Sequence, residues 1–207
     1  MRLDIEFIIY ASLLIVCLLP LYIYRKKIFS SSKPQKGDFD AFLKDLKIHM
    51  KTNHPKINID YSIIEKTKNE SNLTFRETFI IEKVVEQFFN FEYNKKTQPS
   101  VPRDKLWVNY DEKSIPSAKL PSDWQQRKEL AWRRDNKCCN RCGCNLPSLN
   151  ETYTTFVKDI KDGGSYTLEN IIILCIDCNK VLNSTNPKNT MDSLILNDKL
   201  LHLIKTK

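Results

Sequence analysis

Two Cys-x-x-Cys pairs constrain this chain more than any other feature. Cys139 and Cys142 bracket a turn that closes on Gly143, and thirty-two residues separate Cys142 from a second pair, Cys175 and Cys178. Two thiolates at this spacing grip one ion, and two such pairs complete a tetrahedron, so the chain between them must fold back on itself. The set implies a structural Zn2+ with four sulfur ligands and no open coordination position. Disulfide frameworks scatter their cysteines, whereas six of the seven here fall in two groups, which points to a reducing compartment. Cys138 and Cys144 flank the first pair. Either is able to replace a neighbour, and the simpler reading of each is a free buried thiol.

The N-terminus carries a different constraint. Phe7 to Tyr24 is a run of eighteen residues without a charge, roughly 27 Å of helix at about 1.5 Å per residue. That matches a hydrocarbon core of roughly 30 Å, with Tyr10, Tyr22 and Tyr24 as interfacial anchors and Pro20 as a tolerated kink. Arg25, Lys26, Lys27, Lys33 and Lys36 follow, while Arg2 is offset by Asp4 and Glu6, so the positive-inside rule leaves the C-terminal bulk in the cytoplasm. A cleaved signal peptide needs a basic start and a small-x-small site, neither of which is present. A lipoprotein signal at Cys17 needs a small residue where Val16 stands, and a buried core helix is the remaining competitor. The expectation is a single-pass inner-membrane anchor over residues 1–29, with the lipid contact in residues 7–24.

A polar linker over residues 30–37 precedes a mainly helical region, 38–96. Phe39, Phe42, Leu43, Leu46 and Met50 recur at helical spacing from Asp38 to Met50. Ile57 to Ile64 alternates like a strand, though a segment this short also suits a helix. Thr74 to Phe91 has a wide apolar face opened by a Thr74–Glu77 capping box. His49 and His54 read as surface residues near a helix end. Four prolines make residues 97–121 a loop-rich connection. The last segment, 122–207, begins with a helix capped by Ser122 and ends in a helix, Met191 to Lys205, on which His202 flanks a packed face.

The net charge of +8 suits a polyanionic partner or simply a lysine-rich solvated surface. Between Ser122 and Asn145 six basic residues face three acidic ones, interleaved with Trp124 and Trp132. Arg127, Arg133, Arg134, Lys137 and Arg141 are therefore the candidate nucleic-acid contacts, with the tryptophans available for stacking or for packing on the zinc unit.

The string "WRRDNKCCNRCG", followed by "DGGSYTLENIIILCIDCNKVLN", resembles the zinc-containing HNH endonucleases. The matching positions are Arg134-Asp135, the Cys139/Cys142 knuckle, Gly163-Gly164, Asn170, and Cys175/Cys178 followed by Asn179. The resemblance covers Ser122 to Asn186 and implies a ββα-metal core: strands at Tyr153–Val157 and Asn170–Leu174, then a helix from Ile176 to Asn183. It further implies DNA more than RNA as partner, and hydrolysis by a histidine base beside an aspartate that holds Mg2+ or Mn2+. By the family's spacing the aspartate falls on Thr155 and the histidine on Phe156. Neither is able to do the work, since phenylalanine has no titratable group and a neutral hydroxyl is a poor metal ligand. Asn170 and Asn179 remain as scaffold positions, and Asp159 and Asp162 are solvated loop residues or substitute metal ligands.

The sequence thus predicts an α+β protein: one transmembrane helix, a helical middle region and a C-terminal zinc-bound ββα domain. It predicts an HNH-like protein that binds nucleic acid without standard hydrolysis. The alternatives are an active divalent-metal endonuclease with a non-standard base and a zinc-stapled module for an unidentified protein partner.

Overall fold

The computed structural model describes residues 36–96 and 120–205, together with Tyr10, Leu13, Leu14 and Leu18. The chain divides into two compact units, Met1–Lys36 and Gly37–Lys207. In the first, Tyr10, Leu13, Leu14 and Leu18 are helical and exposed. The expected span over residues 7–24 otherwise lies outside the described residues, as does nearly all of the 97–121 connection. Among the described residues no helix is long and apolar enough to cross a membrane.

The second unit begins with α1 (Lys36–Asn53), whose buried residues Phe39, Phe42, Leu46 and Met50 fall on one face at the spacing the sequence shows. Ile57 and Ile59 are buried but make no strand. Asp60 instead exchanges backbone hydrogen bonds with the Gln87 side chain, donating at 2.7 Å and accepting at 2.9 Å. Ser62 N–H then bonds the Asp60 carboxylate, and this turn leads into the single-turn helix α2 (Ile63–Lys66). The longer helix α3 (Leu73–Asn90) buries Ile80, Ile81, Val84, Val85 and Phe88. It is not started by a Thr74–Glu77 box. Its N-cap is Asn72, whose side chain accepts from Phe75 N–H, and Glu77 lies in the buried face.

Past the connection, α4 (Trp124–Arg134) starts one residue later than Ser122 would place it. Asp123 holds the N-cap position, yet its carboxylate is taken by Arg127 and caps no backbone N–H. The strands β1 (Tyr153–Phe156) and β2 (Ile171–Leu174) then pair antiparallel, with Tyr153 opposite Leu174 and Phe156 opposite Ile171. All four residues of β2 are buried, which is why it reads as a continuous apolar run. Helix α5 (Ile176–Leu182) follows directly. The predicted last helix is broken into α6 (Pro187–Asp192) and α7 (Ile195–Lys205). The break has a cause: the buried Asp177 carboxylate accepts from Ile195 and Leu196 N–H, both at 2.9 Å, and so starts a new helix there.

The architecture is therefore mostly helical, with a small two-stranded antiparallel sheet and a buried cluster of four cysteines. A single apolar core joins the two halves. It runs from Phe42, Leu46 and Phe88 through Cys139 and Cys142 to Ile172, Leu194 and Leu200.

Candidate metal centre

Each half of the cysteine cluster is shaped by its own backbone. Cys139 and Cys142 sit in a tight hairpin, where Cys139 N–H bonds the Cys144 carbonyl and Gly143 N–H, at φ +81°, bonds the Cys139 carbonyl. Asn140 N–H pins this knuckle to β2 through the Ile173 carbonyl at 2.9 Å. On the other side, Cys175 is the N-cap of α5 and its sulfur accepts from Cys178 N–H at 3.4 Å. The helix thus sets the second pair, since three residues of helix bring Cys178 back over Cys175.

The four sulfurs all lie within 4.8 Å of one another, and Cys142 and Cys175 are 3.8 Å apart. A tetrahedral zinc with Zn–S bonds of about 2.3 Å needs sulfur–sulfur edges of about 3.8 Å. Three of the cysteines are fully buried and Cys175 is 7% exposed, and all four are free thiols. This donor set fits Zn2+, whose two charges answer the thiolates that the ion requires. Hydrogen bonds from Cys142, Cys144, Cys175 and Cys178 drive Cys139 far toward the thiolate, while the Cys139 contact first, and burial, push Cys178 the other way.

Arg141, within the knuckle, is 1% exposed. Its guanidinium donates to the carbonyls of Phe88 (2.7 Å), Phe89 (3.2 Å) and Phe91 (3.2 Å), and lies 3.6 Å from the Cys178 sulfur. Those carbonyls close the C-terminus of α3, so the cysteine knuckle caps a helix some fifty positions away in sequence. Tyr93 adds a hydrogen bond to Asn140 at 2.6 Å, and Lys56 binds the Cys142 and Asn140 carbonyls through its backbone N–H and its Nζ. The helical half and the knuckle are held together by polar as well as apolar contacts.

The proposed nucleic-acid arginines separate sharply. Arg127 is 2% exposed, ion-paired to Asp123 and bonded to the Tyr166 carbonyl. Arg134 is bidentate to Asp135 and donates to the Leu168 and Ile171 carbonyls. With Arg141 these brace the chain from inside, donating to its own carbonyls and, for Arg127 and Arg134, to the Asp123 and Asp135 carboxylates as well. Arg133 and Lys137 remain at the surface, Arg133 paired with Glu129 and the Lys137 ammonium over the Trp132 ring.

At the two positions where the resemblance led us to expect a catalytic pair, Thr155 faces Ile172 across the sheet, and Phe156 joins Trp124 and Tyr166 in a trio with ring centroids 5.7–6.0 Å apart. The Gly-Gly loop keeps its form. Gly163 is left-handed at φ +84°, and a side chain on Gly164 would collide with the Lys158 carbonyl oxygen. Asn170 braces that loop, accepting from Lys158 N–H and donating to the Lys158 and Ser165 carbonyls. Asn179 is half-buried and accepts from the Asn183 side chain. Asp159 is exposed, 3.7 Å from the Lys95 ammonium, and Asp162 is exposed. His202 is exposed on α7.

Sequence reasoning missed a cleft of about 710 Å3 beside the cluster. His49, His54, Cys144, Tyr153, Cys175 and Lys199 are among its lining residues. His54 is buried, not superficial: it packs edge-on against Phe88, and burial pulls its pKa down to about 4. Its Nδ1 and the Nε2 of His49 are buried without a hydrogen-bond partner. The only local signal was Pro55, which ends α1 and turns the chain back toward the knuckle. Cys144 and Cys138 are half-buried, not the buried thiols expected from the sequence. In comparisons with known proteins, the chain matches no family model, no curated protein and no solved structure.

Proposed function

We propose that this chain is a zinc-stapled, HNH-like module that keeps the scaffold of the ββα nucleases without their histidine-based hydrolysis. We further propose that residues 7–24 tether it to the inner membrane, its C-terminal part meeting nucleic acid in the cytoplasm. One observation carries the loss of hydrolysis: Phe156 stands where the family's base would be, packed against Trp124 and Tyr166. A general base needs a lone pair within hydrogen-bond reach of the attacking water, and a phenyl ring has none. The Gly-Gly turn, the Asn170 brace and the four-cysteine cluster are meanwhile intact, so the substitutions at Thr155 and Phe156 fall on chemistry and spare the scaffold.

The test uses the purified full-length chain in detergent with supercoiled plasmid and Mg2+ or Mn2+. The expected result is no nicking, together with DNA retention that weakens steeply as salt rises. Metal-dependent nicking that disappears in Asn179→Ala would refute the reading. A second reading, a docking module for a protein partner, is favoured by the internal use of Arg127, Arg134 and Arg141. Absence of salt-sensitive DNA binding alongside stoichiometric zinc selects it.

A further inference from the structure

A fifth cysteine borders the four of the candidate zinc site. Cys144 lies two residues past Cys142, and its backbone carbonyl accepts from Cys139 N–H at 2.8 Å. The four are buried, whereas Cys144 is half-exposed. Cys144 and Cys175 also line the same 710 Å3 cleft, and Cys175 is the most exposed of the four. His54, more than nine-tenths buried, lines that cleft too, with its Nδ1 lacking a partner. The buried Nε2 of His49 is likewise unpartnered. The cleft thus offers polar anchors for a small hydrogen-bonding molecule next to an accessible sulfur. Cys138 differs: its thiol is directed to the Asn136 carbonyl, and it borders a separate groove with Lys56 and Lys96.

We propose that Cys144 is a peroxide-modifiable thiol that, once oxidised, forms a disulfide with Cys175 and expels the zinc. The inference rests on the zinc reading of the cluster. In the first step the Cys144 sulfur attacks one oxygen of hydrogen peroxide. The O–O bond breaks, one water leaves, and Cys144 becomes a sulfenic acid. In the second, the Cys175 sulfur leaves the metal and attacks the Cys144 sulfur. The S–O bond breaks, the departing hydroxide takes a proton to become water, and the disulfide forms. Two electrons pass from the two sulfurs to one peroxide, and zinc remains Zn2+. Left with three ligands, the ion loses the closed coordination that held it.

The experiment treats the zinc-loaded full-length chain with hydrogen peroxide in the presence of a chromogenic zinc chelator, then maps disulfides by alkylation and mass spectrometry. The expected result is zinc release in step with a Cys144–Cys175 disulfide, reversed by dithiothreitol and added zinc. Cys144→Ser should bind zinc as the wild type does but release it at least about tenfold more slowly under peroxide. Cys138→Ser should behave as wild type. Equal release rates in Cys144→Ser, or wild-type disulfides that join only the four cluster cysteines, overturn the proposal without a need for any variant to be compared for stability. Loss of zinc from untreated Cys144→Ser makes Cys144 a ligand and overturns it as well. A wild-type chain lacking stoichiometric zinc removes the metal reading and this proposal together, whereas release indifferent to Cys144 removes this proposal alone.

Discussion

Replacing Arg141 tests how a basic residue in the cysteine knuckle is used. Its guanidinium donates to three carbonyls at the end of α3 and stands near the Cys178 sulfur, at 1% exposure. It also lies over the Phe88 and Phe91 rings, at 5.1 and 5.5 Å. Arg141→Met keeps the stem and removes every donor. Orphaning a buried carbonyl costs about 1–3 kcal/mol, and water is able to reach some of the three, so the expected loss is about 3–5 kcal/mol. Arg141→Lys keeps the charge, but its shorter head cannot reach both the carbonyls that Nη2 serves and the Cys178 sulfur that Nη1 faces, so about half that loss is expected. Urea denaturation of the zinc-loaded chain, followed by far-ultraviolet circular dichroism, measures both variants. Amide exchange at Phe88–Phe91 locates the damage. A loss below about 1 kcal/mol would refute the buried-cap argument. So would an unchanged stability accompanied by weaker, less salt-sensitive DNA binding, the outcome expected of a surface phosphate contact.

Gly164→Ala should destabilise strongly, by about 3 kcal/mol or more, because its side chain meets the Lys158 carbonyl and comes within 2.8 Å of the Asp159 oxygen; a thermal melt reads it. Asn170→Ala removes three hydrogen bonds across the same loop and should cost about 2–3 kcal/mol by denaturant titration, with zinc content unchanged. Phe156→Ala should lose about 3 kcal/mol or somewhat less, since the ring is only partly buried, without altering DNA affinity in a retention assay. His54 gives a pH signature. Its folded pKa of about 4 lies below the ordinary 6.5, so the unfolded chain binds more protons between those values. Its contribution is complete above pH 6.5 and is lost as the pH falls toward 4, about 3 kcal/mol at about 1.4 kcal/mol per unit. Subtracting the pH profile of His54→Leu from that of wild type isolates this slope from the metal's own acid release.

The elements that were legible in the sequence are those with a local signature. The apolar spacing of Phe39, Phe42, Leu46 and Met50 marks α1, the run Ile171–Leu174 marks a buried strand, and the paired cysteines mark their own meeting point. The illegible parts depend on residues far apart in sequence. Nothing local distinguishes Arg133, which faces water, from Arg134, which is folded inward onto Leu168 and Ile171 carbonyls. His54 is polar and follows a helix, and only the return of the chain onto the knuckle buries it. The start of α3 shifted because Asn72 took the cap ahead of Thr74, whereas α4 starts after Asp123 with no side-chain cap, that carboxylate being drawn off by Arg127.

The capping of α3 by Arg141 also sets an order of events during synthesis. The apolar faces of α1 and α3 leave the ribosome well before the knuckle that closes α3, and earlier still than α7, against which α3 packs. Loop-closure entropy over such separations must be met before those contacts give anything back, so this unit should fold late and as a whole. Until Cys178 and then Leu200 have been made, the nascent chain presents a sticky, half-built helical pair. A truncation in α7 should therefore unravel the first helices of the unit, which makes the element made last the one that decides whether α1 and α3 survive.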